Sequence, residues 1–198
     1  MRRGLQPRSQ HTGRVALLAL DLITDFDFPD GPAVRRALAR RASAIRRLLD
    51  KVRRHRVPVV YVNDNLGAWR SDAPALIAHC TATSRPGAAL VKSLCPAPGD
   101  DIILKPRHSA FYGTPLEALL ADRRVDTLVL VGMSAESCVW MTACDAHTRG
   151  YRLVIPADTM AGASPRALRA TLTGLEDVLG ARVPVKADSL RFATARLS

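Results

Sequence analysis

Short apolar runs that alternate with amphipathic segments constrain the fold of this chain more than any other feature of its sequence. The runs are apolar along most of their length, which is typical of strands buried on both faces of a parallel sheet. The segments between them have helical spacing or helix-start signals. The alternation therefore predicts an α/β fold in which helices cover both faces of a mostly parallel sheet. The predicted strands are Val15–Asp21, Val57–Asp64, Asp101–Lys105, Thr127–Met133 and Arg152–Asp158, with a weaker sixth strand over Ala181–Ala187.

The longest predicted helix is strongly basic. Over Ala33–Arg56, apolar residues recur at spacings of three, four and seven and trace one helical face, while arginines fill the other positions. Together with the first residues of the chain, this segment carries most of the formal net charge of +11. The pattern favours a core-facing helix with a solvated basic side over a nucleic-acid-binding surface, because no recognition motif accompanies it. Shorter helices are predicted over Ser71–Cys80, Pro115–Ala121, Glu136–Arg149 and from the Ser164 N-cap to Leu179, before Gly180.

Length and cysteine usage limit the class of protein. The 198 residues suit one domain, which we assign to residues 14–198, after a flexible basic tail over residues 1–13. No apolar run is long enough to span a membrane, and no apolar segment precedes Val15, so neither an anchor nor a secretory signal is expected. The four cysteines are scattered without paired spacing, which favours reduced thiols and a cytoplasmic location.

Three reactive side chains follow predicted strands. Asp21 ends the first strand, Lys105 closes the third, and Cys138 begins the helical segment after the fourth. Ligands of parallel α/β sheets bind at the carboxyl ends of the strands, near the point where strand order reverses. The three side chains are therefore expected on the same edge of the sheet.

A cysteine in this position could act as a nucleophile. The thiolate is the attacking form, and a helix N-terminus, a nearby cation and a base would each favour it. Lys105 could supply the cation and Asp21 the base, and we expect a negatively charged sulfur at neutral pH. Taken alone, the residues leave other roles open, namely a buried apolar cysteine, an aspartate that caps a turn and a lysine on the surface.

The chain also resembles the isochorismatase-like cysteine hydrolases, a superfamily that includes nicotinamidases, N-carbamoylsarcosine amidases and ureidoacrylate amidohydrolases. Three blocks carry the resemblance over nearly all of the chain after the tail. ALLALDLITDF is similar to the block with the catalytic aspartate, ILKPRHSAFYGTPLEALL to the lysine block, and LVLVGMSAESCVWMTACDAHTRGY to the nucleophile block. The resemblance implies that Asp21, Lys105 and Cys138 form a catalytic triad.

The resemblance has further implications for structure and chemistry. It implies a three-layer α/β fold with a central parallel sheet and a cis peptide at Met133–Ser134. It also implies an oxyanion hole formed by the backbone amides of Ser134 and Cys138. Asp21 would deprotonate Cys138, the thiolate would attack an amide carbonyl, and water would hydrolyse the resulting thioester. Dimers and tetramers are common in this superfamily, so a homo-oligomer is expected.

The segment after the second strand departs from the nicotinamidase pattern. Nicotinamidases place an aspartate and histidines there as metal ligands, whereas this chain has Asp64 but no histidine between His55 and His79. No histidine pair has ligand spacing. We therefore expect no catalytic metal or other cofactor, and nicotinamide is disfavoured as the substrate. Phe26, Asn65, Trp69, Phe111 and Tyr112 are the predicted pocket residues. Whether His108 or Arg70 contacts the substrate is left open by the sequence.

Three functions remain to be weighed. The leading hypothesis is a metal-independent hydrolase of the C–N bond in a small amide, ureide or lactam. The second is a vinyl ether hydrolase of the isochorismatase type, in which Asp21 is the acid and no thiolate is needed. The third is a basic protein without enzymatic activity that binds nucleic acid or an acidic partner, which predicts binding that weakens steeply with salt.

Overall fold

A five-stranded parallel sheet forms the centre of the protein. The computed structural model describes residues 13–193 and 196–197. The predicted tail falls on residues 1–13, and all of these but Gly13 lie outside the described residues. The strands are β1 Val15–Leu20, β2 Val59–Asp64, β3 Asp101–Lys105, β4 Thr127–Gly132 and β5 Arg152–Val154, and their order across the sheet is β3-β2-β1-β4-β5.

Helices connect successive strands. Their bounds are α1 Gly31–Arg54, α2 Ala73–Thr81, α3 Ala88–Ser93, α4 Leu116–Asp122, α5 Trp140–Thr148 and α6 Pro165–Leu179. A π-helical turn, Ala135–Val139, directly precedes α5, and two short strands, β6 Phe192–Ala193 and β7 Arg196–Leu197, pair antiparallel near the end of the chain. Among the described residues, no helix combines the length and the apolar character needed to cross a bilayer.

The strand order reverses between β1 and β4. The chain moves from β1 through α1 to β2 in one direction and from β4 through α5 to β5 in the other. Because such crossovers are right-handed, α1 and α5 cover opposite faces of the sheet. The three-layer parallel α/β fold predicted from the sequence is therefore confirmed. All residues of β1 and β4 are buried, and the carboxyl ends of these two strands flank the reversal point.

Close contact between β1 and β4 requires a glycine at the end of β4. Gly132 pairs with Leu20 and has a φ of +123°, a conformation that side chains disfavour. A Cβ at this position would lie 2.0 Å from the carbonyl oxygen of Leu20. The two strands therefore approach each other at the point where the chain turns toward Cys138.

The helices follow their sequence signals closely. In α1, the apolar face predicted from the periodicity is buried, and the arginines occupy the other side. At the start of α6, Ser164 Oγ accepts a hydrogen bond of 3.1 Å from the amide of Ala167, and Gly180 ends the helix at a φ of +62°. These are an N-cap and a left-handed C-terminal glycine, as predicted.

The chain after Val154 differs from the prediction. The fifth strand stops three residues after it begins, because Pro156 and a 3₁₀ turn over Ala157–Thr159 divert the backbone. The sixth strand predicted over Ala181–Ala187 does not form as a continuous strand. An isolated parallel bridge joins Val154 and Arg182, and the amides of Ile155 and Ala157 donate to the carbonyl oxygens of Arg182 and Pro184, so this segment pairs with β5 only in part. Helix α3 had no clear signal in the sequence.

Candidate active site

Asp21, Lys105 and Cys138 meet at the carboxyl edge of the sheet. Lys105 Nζ lies 3.0 Å from Asp21 Oδ2 and 3.5 Å from Cys138 Sγ. The lysine side chain is fully buried, and the aspartate side chain is 9% exposed. One ammonium thus bridges the carboxylate and the sulfur, although the three residues are far apart in the sequence.

The backbone at the end of β1 fixes the orientation of Asp21. Its φ of +51° turns the chain out of the sheet, and its amide still donates to the carbonyl oxygen of Val62. Its Oδ1 accepts a hydrogen bond of 2.7 Å from the amide of Asp64. Oδ2 is buried and lies 3.0 Å from the ammonium of Lys105, which pairs with this carboxylate. This oxygen is available to take a proton.

Lys105 remains charged although it is completely buried. Burial opposes the charge, but the carboxylate of Asp21, the sulfur of Cys138 and the carboxylate of Asp64 together raise the pKa of Lys105 above its ordinary value. Asp64 Oδ2 lies 3.9 Å from Lys105 Nζ. The backbone holds the lysine as well, because its carbonyl oxygen accepts from the amide of Asn65.

The π-helical turn carries Cys138. The carbonyl oxygen of Ser134 accepts from the amides of both Ser137 and Val139, which closes the turn around the cysteine. Burial and then the carboxylate of Asp21 raise the pKa of the Cys138 thiol to about 12, against the opposing effect of Lys105. This direction is opposite to the one expected from the sequence, because burial and the adjacent carboxylate outweigh the effect of the Lys105 ammonium. The resting sulfur is a neutral thiol next to a carboxylate.

The backbone before Cys138 has the conformation implied by the resemblance. The peptide bond Met133–Ser134 is cis. The amide of Ala135 donates to the carbonyl oxygen of Ala161 at 2.8 Å, while no backbone hydrogen bond of the described residues uses the amide of Ser134 as donor. The Ser134 amide is therefore free to bind a developing negative charge.

A cavity of about 340 Å³ opens onto these groups. Such a volume lies at the small end of the range for ligand sites. Its lining residues among those described are Asp21, Ile23, Thr24, Asp25, Asp27, Phe28, Asp64, Leu66, His108, Met133, Ser134, Ser137 and Cys138.

None of the five predicted pocket residues is among the described residues that line this cavity. Phe26 is buried, with a φ of +59°, and its ring packs toward Gly87 in the core. Phe111 is buried as well, with its ring 5.9 Å from that of Tyr151 and under the guanidinium of Arg149. Both aromatic rings therefore take part in packing and are not among the groups that face the cavity.

The other predicted pocket residues lie outside the cavity for different reasons. Asn65 Oδ1 accepts from the amide of Gly67, so its side chain stabilises a turn. Trp69 is 76% exposed and Tyr112 is 61% exposed. Arg70, whose contact with substrate the sequence left open, is exposed and is not part of the lining.

His108, in contrast, lines the cavity. Its Nδ1 lies 3.3 Å from Ser137 Oγ and 3.8 Å from Cys138 Sγ. The segment that carries it is anchored to α5, because the amide of Ala110 donates to Thr142 Oγ1 at 3.0 Å. The imidazole thus lies beside the sulfur and forms part of the cavity wall.

The sequence reasoning missed the loop after β1, residues 22–28, which supplies much of the lining. Asn63 Nδ2 donates to the carbonyl oxygen of Ile23 at 2.9 Å and ties this loop to β2. Asp25 Oδ2 lies 2.9 Å from His79 Nε2 and 3.9 Å from Arg85, both beyond the cavity. Burial alone would raise the pKa of Asp25, but the hydrogen bond with His79 and the charge of Arg85 lower it. The signal in the sequence was two further aspartates within six residues after Asp21.

The structure gives no donor set for a metal ion. Among the residues that it describes, no three or more histidine, cysteine, aspartate or glutamate side chains are grouped so that they could hold one. His79 approaches a single carboxylate only. The absence of a catalytic metal stays a prediction.

The chain is similar to known proteins over most of its length. The family model described as the isochorismatase domain matches residues 15–184. The uncharacterized isochorismatase family protein YaaI of Bacillus subtilis is 32% identical over 168 residues, which is 85% of this chain and 92% of that protein. The N-carbamoylsarcosine amidase of an Arthrobacter species is 28% identical over 90% of this chain and 71% of its own length.

A solved structure shows the same fold. The N-carbamoylsarcosine amidase of Thermoplasma acidophilum superposes with a TM-score of 0.67 at 27% identity, covering 89% of this chain and 98% of that one. The family match spans all five strands of the parallel sheet, the residues that line the cavity and all three converging side chains. The chain belongs to the isochorismatase family and is a hydrolase related to amidases.

Proposed function

We propose that this protein is a cysteine amidohydrolase that cleaves the C–N bond of a small amide, ureide or lactam without a metal. The observation that carries the proposal is the fully buried ammonium of Lys105, which contacts both Asp21 Oδ2 and Cys138 Sγ at the bottom of a cavity. Burying a charged lysine costs free energy unless nearby groups compensate its charge. Buried titratable groups that contact one another in a cavity are typical of functional sites.

The first step forms a C–S bond. Asp21 Oδ2 takes the thiol proton as the sulfur of Cys138 attacks the carbonyl carbon, and the carbonyl π electrons move to oxygen. Because the resting thiol has a raised pKa, proton transfer accompanies the attack rather than preceding it. Lys105 stabilises the negative charge on sulfur, and the amides of Ser134 and Cys138 bind the oxyanion.

The second half of the reaction breaks the C–N bond and restores the thiol. The oxyanion collapses, the protonated Asp21 gives its proton to the departing nitrogen, and ammonia or an amine leaves. Water then attacks the thioester while Asp21 accepts its proton. The tetrahedral species expels the sulfur, which regains a proton from Asp21, and a carboxylic acid or carbamic acid is released.

A panel of amides and ureides with ammonia detection, paired with mass spectrometry of the quenched enzyme, tests this proposal. We expect turnover and an acyl adduct on Cys138. Cys138→Ala should abolish both, whereas Cys144→Ala, on α5 and half-buried, should abolish neither. Turnover that persists in the Cys138→Ala variant, or turnover without any trapped thioester, would contradict the proposed route.

The Cys138→Ala variant and a binding assay test the two competing functions. If Cys138→Ala degraded isochorismate, Asp21 would be acting as the acid of a vinyl ether hydrolase. If the protein bound polyanions with a steep salt dependence and hydrolysed nothing, the basic side of α1 would be the functional surface. The predicted homo-oligomer is checked separately by light scattering.

A further inference from the structure

The cavity that contains Cys138 is acidic, although the protein as a whole is strongly basic. Four aspartates, Asp21, Asp25, Asp27 and Asp64, are among its lining residues, and no lysine or arginine is among the described lining residues. The formal net charge of the chain is +11. Charges elsewhere on the surface are screened over about 8 Å at physiological ionic strength. The electrostatic attraction or repulsion of a ligand inside the cavity is therefore determined mainly by the charged residues that line it.

Protein cations compensate only part of this negative charge. Lys105 contacts Asp21 at 3.0 Å and lies 3.9 Å from Asp64, so one ammonium serves two carboxylates. Asp25 is held by His79 and faces Arg85. Among the described residues, no cation lies within ion-pair distance of Asp27. Asp27 therefore carries an uncompensated negative charge at the rim of the cavity. Asp64, next to the triad, is compensated only in part, because it shares the ammonium of Lys105 with Asp21.

The partly compensated carboxylate of Asp64 is close to the reacting atoms. Asp64 Oδ2 and Cys138 Sγ both lie within 4 Å of Lys105 Nζ. Asp64 is also linked to the base, because its amide donates to Asp21 Oδ1 at 2.7 Å. In one bound substrate, a group that contacts Asp64 would therefore be separated by only a few atoms from the carbonyl carbon that faces the sulfur.

The walls of the cavity also restrict the kind of ligand that it can hold. Beside the polar residues Thr24, His108, Ser134 and Ser137, the lining includes four large apolar side chains, those of Ile23, Phe28, Leu66 and Met133. The walls thus suit a short hydrocarbon chain that carries a cation at one end.

We propose that the substrate is a small aliphatic amide that bears a positively charged amino or guanidino group a few atoms from the scissile carbonyl. The cavity would bind the amide at Cys138, the hydrocarbon segment along the apolar wall, and the cation between Asp27 and Asp64. This inference rests on the proposed amidohydrolase activity and specifies its substrate class. An anionic amide would meet like charges and is disfavoured.

Three amides of matched size test the charge preference. They are 4-aminobutanamide, which is cationic at neutral pH, the neutral pentanamide and the anionic succinamate, and each releases ammonia on hydrolysis. We expect kcat/KM for the cation to exceed that for the neutral amide by ~10-fold or more, since two partly exposed charge pairs contribute about 1 kcal/mol each. The preference should decrease at high salt.

Variants at the rim separate charge recognition from catalysis. Asp27→Asn should lower the cation-to-neutral ratio of kcat/KM by ~5-fold, which is the factor for one exposed ion pair. Asp27→Lys should raise kcat/KM for succinamate relative to 4-aminobutanamide. The control is Asp177→Asn, which makes the same charge change on the exposed side of α6 and should leave the ratio unchanged.

Binding to the Cys138→Ala variant, measured by NMR titration of the three amides, distinguishes the two proposals. If the cationic amide binds preferentially but the wild type hydrolyses neither these three amides nor any compound of the wider amide and ureide panel, the amidohydrolase proposal fails and the charge preference stands. If the neutral or anionic amide is hydrolysed or bound as well as the cationic one, the inferred substrate class is wrong. Failure of all three to bind would overturn it as well.

Discussion

Replacing Asp21 by asparagine should make Cys138 more reactive toward an alkylating agent while abolishing turnover. In the resting site, the carboxylate is the second cause, after burial, of the raised pKa of the thiol. Asp21 and Cys138 both contact the same ammonium within 3.5 Å. Asp21→Asn removes the opposing charge but also removes the base that the proposed mechanism requires, so the two readouts should move in opposite directions.

The expected size of the effect follows from this proximity. A like charge within about 4–6 Å shifts a pKa by about 1–3 units. The thiolate fraction at pH 8 would therefore rise about 10- to 1000-fold, because this pH is well below the wild-type pKa of about 12. A more acidic thiolate is less nucleophilic, with a Brønsted coefficient of about 0.5, so the alkylation rate should rise ~3- to 30-fold.

Timed reaction with iodoacetamide, followed by peptide mass spectrometry, measures the rate at Cys138. The half-buried Cys144 and Cys95 are internal standards in the same sample. In the wild type, the rate at Cys138 should rise about tenfold per pH unit from about pH 7 to pH 10, as expected for a thiol titrating near pH 12. Amide turnover by Asp21→Asn should fall by about 100-fold or more.

Slower alkylation of Asp21→Asn than of the wild type would refute this reasoning. It would mean that the carboxylate already assists the thiol as a base in the resting state and does not merely oppose its ionisation. A wild-type alkylation rate that levels off below about pH 8 would refute it in another way, because the sulfur would then be an anion near neutrality.

Three further outcomes are expected. Lys105→Met should lower the free energy of unfolding by about 3–5 kcal/mol in urea titrations, because a buried carboxylate loses its partner, and the Asp21→Asn/Lys105→Met double variant should lose less than the sum of its single variants. Gly132→Ala should destabilise by more than about 2 kcal/mol, since its Cβ would lie 2.0 Å from the Leu20 carbonyl oxygen. The depressed pKa of Asp25 adds stability that is present above the unfolded value of 3.8 and lost as pH falls through the folded value. The stability difference between wild type and Asp25→Asn, measured in urea at several pH values, should therefore shrink below about pH 4.

The convergence of Asp21, Lys105 and Cys138 was accessible from the sequence because it depends on topology. In a parallel sheet, every strand ends on the same edge, so residues that follow apolar runs can be placed together without knowing any side-chain contact. The caps of α6 were equally accessible, because Ser164 and Gly180 act within one turn of the helix that they delimit.

The identity of the pocket residues was not accessible in this way. Aromatic residues near the blocks were chosen by type, but Phe26 turns its ring toward Gly87 through a positive φ that depends on the whole loop. The contact joins residues 61 positions apart, and no local pattern marks it. The π-helical turn around Cys138 likewise interrupts what reads as one continuous helix from Glu136.

The protonation state of Cys138 was misjudged for a related reason. A helix end and a lysine are visible in the sequence, and both favour a thiolate. Burial and the approach of Asp21 are properties of the folded chain, and they outweigh the visible features. To predict the pKa of a side chain, one must therefore know how deeply it is buried in the folded protein as well as which charged groups lie near it.

The division of the site between strand ends and an exposed loop has an evolutionary consequence. Lys105 and Asp21 are fixed by the sheet itself, whereas Asp27 and Leu66 lie on connections that carry little of the core. Substitutions at exposed positions of these connections should alter selectivity without disturbing the residues proposed to break the bond. Laboratory diversification confined to the exposed Asp27, Phe28 and Leu66 should therefore yield many folded variants with altered selectivity.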